Sequence, residues 1–217
     1  MFKKILVIGA NGRIGKQLVK KLHDQGFAVR AMVRQQQQAL FFNSMRIETV
    51  VADLEENFSS AFEGCDTVVF TAGSGAATGA DKTLLIDLWA ATKAVDYAQD
   101  YGIQNFLMIS SRGAGNPDTG PAKIKYYCVA KHFADQHLIN SSLQYLILRP
   151  GRLTDEPATG KITTSKPNME SEQHISREDV VDSVLYFFHH SNHFQKQIIE
   201  LYAGENNLTD SLTEACR

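Results

Sequence analysis

The sequence predicts an α/β domain, a doubly wound parallel sheet held between helix layers as a three-layer αβα sandwich. Three observations predict it. Short β-branched runs recur along the 217 residues, each followed by a longer segment of helical character, which is the pattern of stacked βαβ units. The runs are mostly apolar without alternation, as strands covered on both faces must be. With 43% apolar content over this length the chain can bury one substantial core but no large second one, so residues 1–217 read as a single domain.

The strand runs fall at Ile5–Ile8, Ala28–Val33, Ile47–Val51, Thr67–Phe70, Phe106–Ser110, Tyr145–Leu148 and Ile198–Leu201. Helices are expected over Ile14–Gln25, Lys82–Tyr101, Ala122–Ile139 and Arg177–His189. Ser176-x-x-Asp179 opens the last of these at capping-box spacing, with Asp in place of Glu or Gln. Gln35–Gln38 is the one low-complexity patch and reads as a solvated helix start. Thr71–Asp81, which holds three glycines, and Thr154–Gln173, rich in Pro, Thr, Ser and Lys, are long connections that read as substrate covers.

Composition narrows the function. Twenty-two basic residues against twenty-four acidic ones leave no basic excess, so nucleic acid is not an expected partner. Cys65, Cys128 and Cys216 form no Cys-x-x-Cys pair and fit a reducing cytoplasm. The apolar run Ile5–Ile8 behind Met1-Phe2-Lys3-Lys4 is too short for a signal peptide, and no stretch approaches a membrane span. The expectation is a soluble, cytoplasmic protein with a small-molecule substrate and no membrane partner. His189, His190 and His193 close a predicted helix, where imidazole suits the dipole end, and no metal is assigned. Oligomeric state has no signature in the sequence.

The chemistry begins at Gly9-Ala10-Asn11-Gly12-Arg13-Ile14-Gly15, which leaves the first strand and opens the first helix. Gly9 allows the tight turn, Gly12 lets the backbone approach a pyrophosphate, and Gly15 lets helix pack against strand. The helix N-terminus offers unpaired N–H groups and a positive dipole end to phosphates. This is the dinucleotide turn of a Rossmann fold. The second strand ends at Val33-Arg34, where an NAD enzyme would usually carry an acid for the ribose 2′-OH. An acid would repel a 2′-phosphate, whereas the Arg34 fork suits one, with Arg13 as a second cation; NADP rather than NAD is the expected cofactor.

The G-x-x-G-x-x-G spacing resembles the extended and atypical branches of the short-chain dehydrogenase/reductase family, and further pieces match in order along nearly the whole chain. The atypical branch, with its NAD(P)H-binding and epimerase/dehydratase-like members, is the best match. In that resemblance Asp53, followed by Leu54, is the adenine-contacting Asp, Ala72-Gly73-Ser74 belongs to the small-residue turn after the fourth strand, and Arg149-Pro150-Gly151 is the element whose backbone lies against the nicotinamide.

Tyr127-Cys128-Val129-Ala130-Lys131 matches Tyr-x-x-x-Lys, with the two side chains one helical turn apart. A nearby ammonium is expected to lower the phenol toward neutral pH, and the same lysine could hold the nicotinamide ribose. Ile109-Ser110-Ser111 ends the fifth strand where the family keeps its serine; Ser111 is preferred and Ser110 is the alternative. Tyr126 competes with Tyr127, but its spacing of five from Lys131 turns it to another side of the helix. The family's tetrad has an Asn where this chain has Asp87, whose charge would alter the proton relay. The resemblance implies an NADP-dependent oxidoreductase acting on a small carbonyl, hydroxyl or quinone-like substrate. The rivals are a redox-neutral epimerase or dehydratase, against which stand only 66 residues after Gly151, and a non-catalytic NADP(H) sensor.

Overall fold

The computed structural model describes residues 4–75, 77–190 and 195–217. Six parallel strands, β1 (Ile5–Ile8), β2 (Val29–Val33), β3 (Glu48–Val51), β4 (Thr67–Phe70), β5 (Asn105–Ile109) and β6 (Gln144–Pro150), are joined by a seventh, β10 (Gln197–Ala203). Their order across the sheet is β3-β2-β1-β4-β5-β6-β10, so the chain winds outward from β1 in one direction and then from β4 in the other. The crevice at this reversal, outside the carboxyl ends of β1 and β4, is where open α/β sheets bind ligands.

Period-two alternation explains the two cores. Ile5 and Val7 of β1 face one helix layer with Leu18, Leu22, Val180 and Val184, while Leu6 and Ile8 face the other with Ala91, Val95, Ala134 and Leu138. The first layer is α1 (Arg13–Asp24) with α6 (Arg177–His189), joined at its margins by α2 (Gln36–Asn43) and α7 (Leu208–Ala215). The second is a long helical segment, α3 (Ala80–Lys82), a π-helical stretch Thr83–Ala90 and α4 (Ala91–Asp100), beside α5 (Lys125–Ile139).

Several expectations need correction. The helix expected over Lys82–Tyr101 is π-helical from Thr83 to Ala90, a rare wide turn that concentrates at functional sites. The helix expected from Ala122 starts as a single 3₁₀ turn, and the α-helix begins at Lys125. Thr154–Gln173 is not all loop: it holds β8 (Lys161–Thr163), which pairs antiparallel with β10 and carries fully buried Ile162. Around it stand β7 (Arg152–Thr154), β9 (His174–Ser176), which pairs parallel with β7, and β11 (Asn206–Asn207) on the far edge of β8. At the α6 cap the Ser176 hydroxyl accepts the Asp179 N–H as expected, 2.9 Å. The Asp179 carboxylate does not reach back, however; it accepts the Ser176 hydroxyl and the N–H groups of Thr159 and Gly160, tying the β7–β8 connection to the helix.

His189 contacts Gln25 and His190 contacts the Tyr186 carbonyl, while His193 lies outside the described residues. Among the described residues no helix is long and apolar enough to cross a membrane.

Candidate functional site

At the β1–α1 turn, Gly9 adopts φ +82°, the left-handed region that favours glycine, and a Cβ there would lie 2.7 Å from the Ala72 backbone. A Cβ on Gly15 would collide with the Gly9 carbonyl oxygen, and one on Gly12 would crowd it at 3.1 Å. Gly12 is the N-cap of α1 and no side chain caps the helix, so the N–H groups of its first turn remain available to an anion. Asn11 and Ile14 complete the turn, Ile14 buried into the core. These features fit a dinucleotide pyrophosphate.

The cations around this turn differ. Arg34 is exposed, and its guanidinium has no ion pair or hydrogen bond among the described residues; only its backbone N–H is used, by Gln38 Oε1 at 3.0 Å. Arg13, expected as a second phosphate ligand, pairs instead with Asp155 Oδ2 at 2.5 Å, and Arg177 holds the other Asp155 oxygen at 2.7 Å. Asp53 accepts the Glu55 N–H at 3.0 Å in its own turn, with Leu54 packed against the core.

At the other end of the crevice, α5 and the π-helical stretch bring the remaining residues together. Tyr127 is half-buried. Burial pushes the phenol well above its ordinary range, the Asp87 carboxylate adds to this, and the nearby Ser111 hydroxyl opposes it. This corrects the expectation that Lys131 brings the phenol down toward neutral pH. Ser111 lies near Tyr127 and Ser110 near Asp135, and neither pair meets full hydrogen-bond geometry. Tyr126 is exposed.

Lys131 is 1% exposed and donates from Nζ to the Ile109 carbonyl, 2.9 Å. Burial pulls its ammonium down, and the carboxylates of Asp87 and Asp135 hold it up. Asp87, also 1% exposed, accepts the Ser74 N–H at 3.0 Å through Oδ2 and has no partner at Oδ1. A Cβ on Gly73 would lie 3.0 Å from that Oδ1, so the Ala72-Gly73-Ser74 turn must be small for Asp87 to approach it. Pro150 is buried, and its carbonyl accepts the Arg112 N–H at 3.0 Å, which joins the ends of β5 and β6.

Asp135 was not singled out by sequence reasoning. It is fully buried, accepts Arg149 Nε at 3.0 Å and leaves Oδ1 unpartnered; burial pushes its carboxyl up while Lys131 and Arg149 hold it down. A signal was present: Tyr127, Lys131 and Asp135 recur every four residues, a polar stripe on one face of a helix that must pack.

The crevice thus has an uncapped glycine turn at one end, and a half-buried phenol, a serine near it and a buried lysine at the other. The comparisons agree with the cofactor half of that arrangement. Residues 9–191 match the NAD(P)H-binding family. A Bacillus subtilis protein named uncharacterized sugar epimerase YhfK is 40% identical over 213 residues, 96% of this chain and 98% of its own. Among solved structures, one from Bacillus halodurans named for an NAD-dependent epimerase/dehydratase superposes with a TM-score of 0.90 at 41% identity, covering 98% of this chain and 99% of that one. The oxidoreductase ylbE from Lactococcus lactis superposes at 0.84 with 28% identity, covering 97% and 95%. The chain belongs to the NAD(P)H-binding family and shares its Rossmann-type fold with these relatives.

Proposed function

We propose that this protein is an NADP-dependent oxidoreductase of the atypical short-chain type, acting in the cytoplasm on a small carbonyl, hydroxyl or quinone-like substrate. The observation that carries the reading is the half-buried phenol of Tyr127, set near Ser111 and one helical turn from buried Lys131. A phenol whose pKa is raised above about 10 stays protonated at neutral pH, and carbonyl reduction consumes one proton for each hydride. When bound, the nicotinamide supplies the hydride. Ser111 hydrogen-bonds the substrate oxygen, Tyr127 gives it the proton, and Lys131 offers its remaining N–H groups to the ribose hydroxyls.

Arg34 supports NADP over NAD, because its exposed guanidinium is uncommitted where an acid would select the ribose hydroxyl. Arg13 joins it only by releasing Asp155. The name of the Bacillus subtilis relative favours a sugar epimerase. Against that reading, β8, β10, β11, α6 and α7 extend and cover the main sheet, and of the described elements after Gly151 only the short β7–β9 pair forms a sheet of its own.

The test is NADPH oxidation screened over aldehydes, ketones and quinones, followed by Tyr127→Phe on a carbonyl hit. The variant is expected to lose roughly 10² to 10⁴ in turnover, the usual weight of general acid catalysis. Carbonyl turnover that survives Tyr127→Phe intact removes the assignment, and NADPH binding without turnover of any acceptor would instead favour a cofactor sensor.

A further inference from the structure

Beside Ser111 the surface opens into a cleft of about 210 Å³, walled by Arg112, Thr119, Pro121, Lys166, Glu170 and Gln173. Its position ties it to the site above. Arg112 follows Ser111 directly and its N–H is held by the Pro150 carbonyl at the end of β6. Residues 113–120 then fold back onto α5, where a Cβ on Gly113 would collide with the sulfur of Cys128, the neighbour of Tyr127. The cleft therefore lies outside the carboxyl ends of β5 and β6, between the serine's own loop and the segment that precedes β9.

Its wall is cationic in a specific way. The Arg112 side chain is only 10% exposed, and one of its terminal nitrogens donates to both the backbone carbonyl and the side-chain oxygen of Gln173, 3.1 Å each. The Gln173 amide is fixed in turn by its donation to the Pro167 carbonyl at 2.9 Å. These neutral acceptors orient the guanidinium without cancelling its charge. Among the described residues the carboxylate paired with it is Glu170, at 3.4 Å on a side chain 73% exposed, a long contact at the solvent edge that an incoming anion can displace. Lys166 is exposed on the same wall, with no ion pair among the described residues. Two cations face one loosely held carboxylate, a surplus of one positive charge in a wall with little apolar surface to attract an uncharged ligand.

We propose that this cleft binds an anionic group of the substrate, a carboxylate or a phosphate, with Arg112 as the preorganised fork and Lys166 as a second cation. The substrate class is then a carbonyl compound that carries an anionic group. This deepens the oxidoreductase reading and rests on it for the reacting group, but the anion site has its own readout.

The experiment compares 4-carboxybenzaldehyde, 4-formylphenyl phosphate and the neutral methyl 4-formylbenzoate as acceptors for NADPH, in the wild type and in Lys166→Met and Arg112→Gln. The expected result is a kcat/KM preference for a charged aldehyde over the ester that falls about tenfold in Lys166→Met, mainly through KM, and further in Arg112→Gln. Which charged aldehyde leads tells carboxylate from phosphate. NADPH titration of each variant confirms that it is folded. In parallel, NMR titrations of the NADP-loaded protein with benzoate and with phenyl phosphate read the cleft without turnover. Anion binding lost in Lys166→Met, with no turnover of these aldehydes or of any acceptor in the wider screen, keeps the anion site and fails the oxidoreductase reading. Reduction of all three aldehydes with equal kcat/KM, or no binding of either anion, overturns the cleft proposal and leaves the oxidoreductase reading standing.

Discussion

The glycine turn after β1 and the pocket around Tyr127 lie at the same edge of the sheet, yet they are built differently. The turn is local: seven consecutive residues supply its left-handed corner at Gly9, its close helix–strand contact at Gly15 and its uncapped helix end. The pocket is assembled from distant segments, with Asp87 from the π-helical stretch, Ser111 from the end of β5, Tyr127, Lys131 and Asp135 from α5, and Arg149 from β6. A local device tolerates changes elsewhere and fails when its own backbone is blocked. A buried charge cluster depends on every partner, because each charge it removes from water must be answered by another.

The largest expected effect probes that dependence. Asp135→Ala leaves the largely buried Arg149 guanidinium without its carboxylate and should lower stability by about 3–5 kcal/mol in urea unfolding. The double variant with Arg149→Ala should lose less than the sum of the two single changes, since the second removes the unpaired charge. Additive losses would mean that the two residues stabilise the fold independently.

A smaller effect is expected at the turn. Arg34→Ala removes a surface cation with no structural partner, so stability should hold while NADPH affinity falls by about tenfold or more, the weight of a charge-assisted contact. NADH affinity should change much less. Fluorescence titration with both dinucleotides checks this, and an equal loss for the two would place the 2′-phosphate elsewhere.

How much was legible in the sequence follows the same division. The four apolar residues of Ile5–Ile8 and the glycines behind them mark strand, turn and helix within a dozen positions, and Thr67–Phe70 and Arg177–His189 have the bounds expected of them. The edge elements were not legible. β8 and β9 are three residues each with one central inward apolar side chain, Ile162 or Ile175, which is too short for a period to register. The π-helical stretch reads as ordinary helix because its composition is helical; what accompanies the wider turn is Asp87 bonding to Ser74, a contact across thirteen residues. The direction of the Tyr127 shift was missed for a related reason. Tyr-x-x-x-Lys announces the lysine, but the burial and the Asp87 carboxylate that push the phenol up come from the tertiary fold.

The central claim is that the glycine turn holds the cofactor while the Tyr127 pocket moves the proton, and calorimetric titration of NADPH into Gly12→Val and Tyr127→Phe tests it most directly. A valine at position 12 would crowd the Gly9 carbonyl and fill the space a pyrophosphate needs, so Gly12→Val should bind no NADPH while remaining folded. Tyr127→Phe should bind it as the wild type does. Normal binding by Gly12→Val, or loss of binding in Tyr127→Phe, would contradict the division of labour proposed for this site.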